Sequence, residues 1–153
     1  MKGNIFKEED YQTILRRIDQ LTPEHKKHWG KMNVTQMLCH TADQIRLALG
    51  FMEAKDQSSF WSRNIVKHIA LRTKRPKGKI ETVPELNQVE GGGTPSVTFI
   101  DDRVNLVKLL TMFKEEKTDF VWAPHPYFGE LSREQWGRLA YMHLDHHLEQ
   151  FGV

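Results

Sequence analysis

The sequence predicts an all-α fold of four long helices, one of them reached by a long crossover, with short extra helices besides. Two observations lead there. Apolar residues recur at intervals of three and four through most of the 153 positions, the period of a helix with one buried face. Proline- and glycine-rich irregular composition is confined to one long stretch in the middle and a short one before the last helix. The length suits a single domain, 1–153, with room for a real core.

The first helix runs from about Lys7 to Leu21, with Tyr11, Ile14, Leu15 and Ile18 on its apolar face. Thr22-Pro23-Glu24 ends it and is suited to start a short second piece. Asn33 or Thr35 caps the next helix, whose stripe is Val34, Met37, Leu38, Ile45, Ala48 and Leu49 and whose stop is Gly50. A shorter helical stretch spans Ser59 to Leu71. Arg72 to Pro95 is irregular: Lys74-Arg75-Pro76-Lys77-Gly78-Lys79 is basic and turn-rich, and Pro84 and Gly91-Gly92-Gly93-Thr94-Pro95 follow. Connections of that length tend to carry function. The third long helix runs from Phe99 or Asp101 to Lys117, with Val104, Val107, Leu110, Met112 and Phe113 turned inward. Ala123 to Gly129 is a turn whose prolines forbid helix. The last helix opens on a capping box, Ser132 with Gln135.

Composition narrows the function classes. The net charge of +2, from 22 basic and 20 acidic residues, argues against a nucleic-acid partner. Cys39 is the only cysteine, so no disulfide forms within the chain and a reducing cytoplasm is the expected setting. The amino terminus has no apolar signal region and no stretch approaches the roughly 20 apolar residues that span a bilayer, so no membrane partner is expected.

The chemistry concentrates in the last helix, where His143, His146 and His147 fall within five positions. His143 and His147 stand i, i+4 apart, so their imidazoles project from one face about a turn from each other. Measured round the helix from Leu139, Trp136, Ala140, Phe151 and Leu144 fall at about 60°, 100°, 120° and 140°. His143 and His147 lie inside that arc, at about 40° and 80°, whereas His146 sits at its edge near −20° and Asp145 points away. A lone inward histidine is usually a core residue with a hydrogen-bond partner. Two of them in one apolar layer each need a partner, and a divalent cation serves both at once. His40 lies on the flank of the second helix's stripe and supplies a third nitrogen. Three imidazoles with an open position suit catalytic zinc, and also nickel, iron or copper.

His40 is in the first half of its helix and His143 and His147 are near the end of theirs, so the three share a level only if those helices are antiparallel. Asp101 and Asp102 would then start the third helix near the metal end, as cap residues complementing its dipole first and as groups facing the site second. His125-Pro126 is a rigid turn roughly 20–25 Å along the axis from the histidine pair, with Phe128 plugging the base of the helices. His143-Leu144-Asp145-His146-His147 is not the zinc-protease motif, because Leu144 stands where that motif has its glutamate. Cys39 points about 100° away from His40 and reads as a small half-buried residue rather than a nucleophile. The Lys74–Lys79 run reads as a solvated loop before a phosphate contact. Trp29, Trp61, Trp122 and Trp136 read mostly as core or interface aromatics, each also a candidate wall of the metal pocket.

Three segments in order resemble the DinB/YfiT-like metalloenzyme superfamily, and more closely a bacterial branch of it. They are Asn33-Val34-Thr35-Gln36-Met37-Leu38-Cys39-His40, His125-Pro126-Tyr127-Phe128-Gly129-Glu130-Leu131, and His143-Leu144-Asp145-His146-His147-Leu148-Glu149-Gln150-Phe151. The resemblance covers nearly the whole chain. It implies a four-helix bundle with a long crossover between the second and third long helices, often as a homodimer. It also implies zinc or nickel held by one histidine of the second helix and a His-x-x-x-His pair of the fourth, which are His40, His143 and His147 here. Relatives include thiol S-transferases using low-molecular-weight thiols, and metal-dependent isomerases and hydrolases. The expected function is a metal-dependent enzyme, with thiol S-transfer ahead of hydrolysis on a small molecule. The alternative is a metal-binding helical or stress-response protein without turnover.

Overall fold

The computed structural model describes residues 3–74, 76–77 and 82–153. Its helices are α1 (Glu8–Gln20), α2 (Val34–Leu49), α3 (Lys67–Ala70), α4 (Phe99–Glu115) and α5 (Arg133–Gln150). A π-helical turn, Ser62–Val66, runs directly into α3, and 3-10 turns occupy Pro84–Leu86 and Gln88–Glu90. Among the described residues there is no strand, so the fold is all-α. None of the described helices is long and apolar enough to cross a membrane.

Each long helix forms where its residues favour one. In α1, Tyr11, Ile14 and Ile18 are buried on one face, and Glu8, Glu9 and Asp10 complement the dipole at its start. No helical piece follows it: His25 Nδ1 accepts the Thr22 N–H, and Gly30 turns the chain with φ +81°, so residues 21–33 are irregular. The Lys26-Lys27-His28 run there has no apolar face to bury. α2 begins with a capping box between Asn33 and Gln36 and ends at Gly50 in the left-handed region. Thirteen of its sixteen residues are buried, which makes it the central helix.

The inward face of α4 differs from the sequence expectation. Leu106, Leu109, Leu110 and Phe113 are buried, whereas Val104 is 59% and Met112 37% exposed. Each of those two lies two positions, about 200°, from a buried leucine, so one helix face cannot hold both sets. The helix also stops at Glu115 rather than Lys117.

Paired contacts give the helix directions. Ile5 N–H donates to the Gly137 carbonyl near the starts of α1 and α5, and Arg17 meets Asp145 at 2.7 Å near their ends, so these two run the same way. Asp145, expected to point away, is therefore the tie between them. Tyr11 and Thr111 hydroxyls lie 2.9 Å apart, pairing the start of α1 with the end of α4. The Ala48 carbonyl accepts from Ala123 N–H, whose own carbonyl accepts from Trp136 Nε1, so α2 ends where α5 begins. α2 and α5 are antiparallel, as the histidine argument requires. The core between the helices is built on Trp136, Phe113, Ile14, Met37, Ile45, Leu110 and Leu144, all nearly inaccessible.

Candidate metal centre

The connection from α2 to α4 is tied down by one carboxylate. Asp43, wholly buried, accepts from Arg46 (2.7 Å), from the Thr94 hydroxyl (2.6 Å) and N–H (2.8 Å), and from Gln88 (3.1 Å). A buried charge is tolerated only with such a set of donors. The glycine run makes the approach possible: a Cβ on Gly92 would lie 2.0 Å from the Pro84 carbonyl, and one on Gly93 2.6 Å from Asp43 Oδ2. This seats the turn Pro84–Leu86 over α2 and aims the Leu86 carbonyl at His40.

His40, His143 and His147 come together, at 4%, 3% and 7% exposure. Their ligand nitrogens all lie within 4.8 Å of one another, and among the described residues the group contains no carboxylate or cysteine. His143 Nε2 is 2.9 Å from His40 Nε2 and 3.2 Å from His147 Nε2. The three rings stand edge-on to each other, at interplanar angles of 63°, 79° and 89°.

Their neighbours decide where two of the protons are. His40 Nδ1 is 2.9 Å from the Leu86 carbonyl, which only accepts, so Nδ1 carries the hydrogen and Nε2 the lone pair. Gln150 donates through Nε2 to the Trp29 carbonyl at 2.6 Å, which turns its Oε1 towards His147 Nδ1 at 2.9 Å. That nitrogen too is N–H, and His147 Nε2 also presents a lone pair. Two lone pairs converging on a third imidazole need a proton or a cation between them, and a divalent cation satisfies all three nitrogens. Bonds of about 2.0–2.1 Å from tetrahedral zinc to nitrogen place its ligands about 3.3 Å apart, against 2.9 and 3.2 Å for the two pairs that include His143. The residues fit a metal ion.

His146 stays outside the group, partly buried, its ring 5.1 Å from His147 and 6.2 Å from Trp29. Trp29 is the tryptophan beside the site; it carries the carbonyl that orients Gln150 and lies under Lys77 at 4.2 Å. Trp136 is core and Trp122 packs on Phe6, Phe113 and Phe120, but Trp61 is 64% exposed. Asp101 bonds with the capping Thr98, and Asp102 accepts from Ser96 and from Val97 N–H. Neither is in the histidine group. Cys39 is buried against Asp102; burial first, then the Asp102 charge, pushes its thiol up to about 12, so it is no nucleophile at neutral pH. His125 stacks on Phe128 at 4.7 Å, and its backbone pairs with Gly129, a rigid turn as expected. Of the basic run, Arg75, Gly78 and Lys79 lie outside the described residues, and Lys74 pairs with Glu149 at 2.6 Å.

A family model described as "Protein of unknown function (DUF1569)" matches residues 5–152. The chain belongs to the DUF1569 family. No curated protein and no solved structure matches it. Gln150 and the Leu86 carbonyl were not foreseen as parts of this DUF1569 site. Gln150 had a signal, standing i+3 from His147 on the same face; a backbone carbonyl from 46 positions away had none.

Proposed function

We propose that this DUF1569 protein is a divalent-metal-dependent enzyme acting on a small molecule. One observation carries the reading: three buried imidazoles turn their Nε2 atoms to one point while Leu86 and Gln150 hold the Nδ1–H groups of two of them away from it. A bound ion supplies a nucleophile at neutral pH, by acidifying water or a thiol, and a Lewis acid for the substrate. The protein's part is to hold neutral imidazoles in one tautomer, to keep bulk water from the ligands, and to leave a coordination position without a protein ligand. The reading gives thiol S-transfer first place on the DinB/YfiT-like resemblance, with a small-molecule thiol bringing the sulfur, so that no cysteine of the protein is needed; hydrolysis is second. Zinc and nickel are the preferred ions, since a nitrogen-only set suits both.

The fold reading goes with it. We read the directions of α1, α2, α4 and α5 as support for a four-helix bundle with a long crossover from α2 to α4, and propose a DinB/YfiT-like relationship with it, which would imply a cytoplasmic homodimer. A second reading is a metal-stabilised protein without turnover, favoured by burial of all three histidines below a tenth exposure.

Elemental analysis joined to a thiol-transfer screen tests both. About one ion per chain is expected, lost in His143→Ala and His40→Ala. Protein without stoichiometric metal, and with a melting temperature unmoved by His143→Ala, would falsify the site. A cobalt-substituted protein whose visible spectrum ignores small thiols and electrophiles would favour the second reading.

A further inference from the structure

The helical run from Phe60 to Ala70 is exposed in an unusual way. Phe60 (71%), Trp61 (64%), Ile65 (44%), Val66 (46%) and Ile69 (57%) are all open, and neither the π turn nor α3 has a buried residue. Trp61, Ile65 and Ile69 stand at i, i+4 and i+8. The wider π turn brings Trp61 and Ile65 nearly into line, and the α turn sets Ile69 about 40° on, so the three form one stripe. Phe60 packs edge-on against Trp61, with ring centroids 5.8 Å apart. Solvent-facing apolar side chains are ordinary singly, but a contiguous stripe marks a surface that meets something.

Charge says what it meets. Between Gln57 and Ile80 the sequence carries seven of the 22 basic residues and none of the 20 acidic ones, so the rest of the chain is net −5 although the whole is +2. Arg72 follows in the turn after α3, and Arg63 and Lys67 stand behind the stripe, where Lys67 reaches the Glu130 carbonyl and Arg63 pairs with Asp56. We propose that this helix is a docking face for an anionic lipid surface, lying in the headgroup layer with Trp61, Ile65 and Ile69 inward and the cations at the phosphates. An apolar stripe with an aromatic pair at one end and cations around it is the form such helices take. None of the described helices is long enough and apolar enough to cross a bilayer, which does not bear on lying on one. Nucleic acid would use the cations but has no use for Ile65, Val66 and Ile69.

Co-sedimentation of the metal-loaded protein with phosphatidylcholine vesicles, with and without about 30% phosphatidylglycerol, tests this at physiological salt. Partitioning at least ~10-fold stronger onto the anionic vesicles is expected. It should fall ~10-fold or more in Trp61→Ser/Ile65→Ser/Ile69→Ser and in Arg63→Gln/Lys67→Gln/Arg72→Gln. Circular dichroism and metal content of the apolar triple variant should match wild type, because these side chains are exposed. No binding to anionic vesicles overturns the proposal. So does binding that the apolar variant retains, which would leave only an electrostatic patch. A wild-type dimer that this variant converts to monomer, without vesicle binding, would assign the face to a second copy instead. None of these outcomes bears on the histidine site.

Discussion

Gln150 shows how much of a candidate metal site is settled outside the residues that would be its ligands. Its amide spans from the Trp29 carbonyl to His147 Nδ1, and only one orientation of that amide satisfies both ends. Gln150→Leu keeps the volume but removes the acceptor, so metal affinity should drop about 10- to 100-fold while the helix content stays. A chelator competition titration reads this; unchanged affinity would mean that the ring is held by packing alone. Cys39 makes the opposite point. Its thiol, raised to about 12, is more protonated in the folded chain than in the unfolded one. Stability from this group is therefore full below the ordinary thiol range and is lost as pH rises from there towards 12. At pH 8 native Cys39 should react with a disulfide reagent ~10-fold or more slowly than in denaturant. Equal rates would show that the thiol is neither buried nor shifted.

At the scale of elements, the 91–93 glycine run and Asp43 belong together. A long irregular connection reads from sequence as one that carries function, and here its glycine cluster lets the loop press onto α2 and deliver the Leu86 carbonyl. Asp43→Asn leaves Arg46 without its charge partner and turns two of the four donors against an amide N–H that cannot accept. Thermal or urea unfolding should show a loss of about 3–5 kcal/mol, with weakened metal binding because Leu86 is no longer held. If stability falls but affinity does not, the loop is not what positions His40. The four long helices and most of their ends were legible, since Asn33, Gly50 and Ser132 are local signals that act within one turn. The inward face of α4 was not, because alternating apolar residues such as Val104 and Leu106 offer two faces and only the neighbours choose.

For the whole molecule, the centre joins α2 to α5 in the same way that Trp136 joins the helices at the opposite end. Trp136 is 0% exposed, and Trp136→Ala should cost about 3–5 kcal/mol. A bound ion would add to this by mass action. At a free concentration ~100 times its dissociation constant an ion contributes about 2.7 kcal/mol, so stripping it with a chelator should lower the melting temperature measurably. The loss should be reproduced by acid, since ligating imidazoles must be neutral. A melting temperature indifferent to chelator would remove the centre's structural part.

Residue identity and spacing alone determined that His143 and His147 share the inward face of one helix, because helical periodicity is a local geometric fact. They also determined that His40 lies on a helix flank and that the only cysteine makes no disulfide within the chain. Tertiary structure decided the rest: that α2 and α5 meet antiparallel, that Leu86 and Gln150 assign the tautomers, and that a basic helix is left with its apolar side uncovered. Those depend on contacts between groups far apart in the chain, which cost loop-closure entropy and form only when the whole set of packing partners is in place.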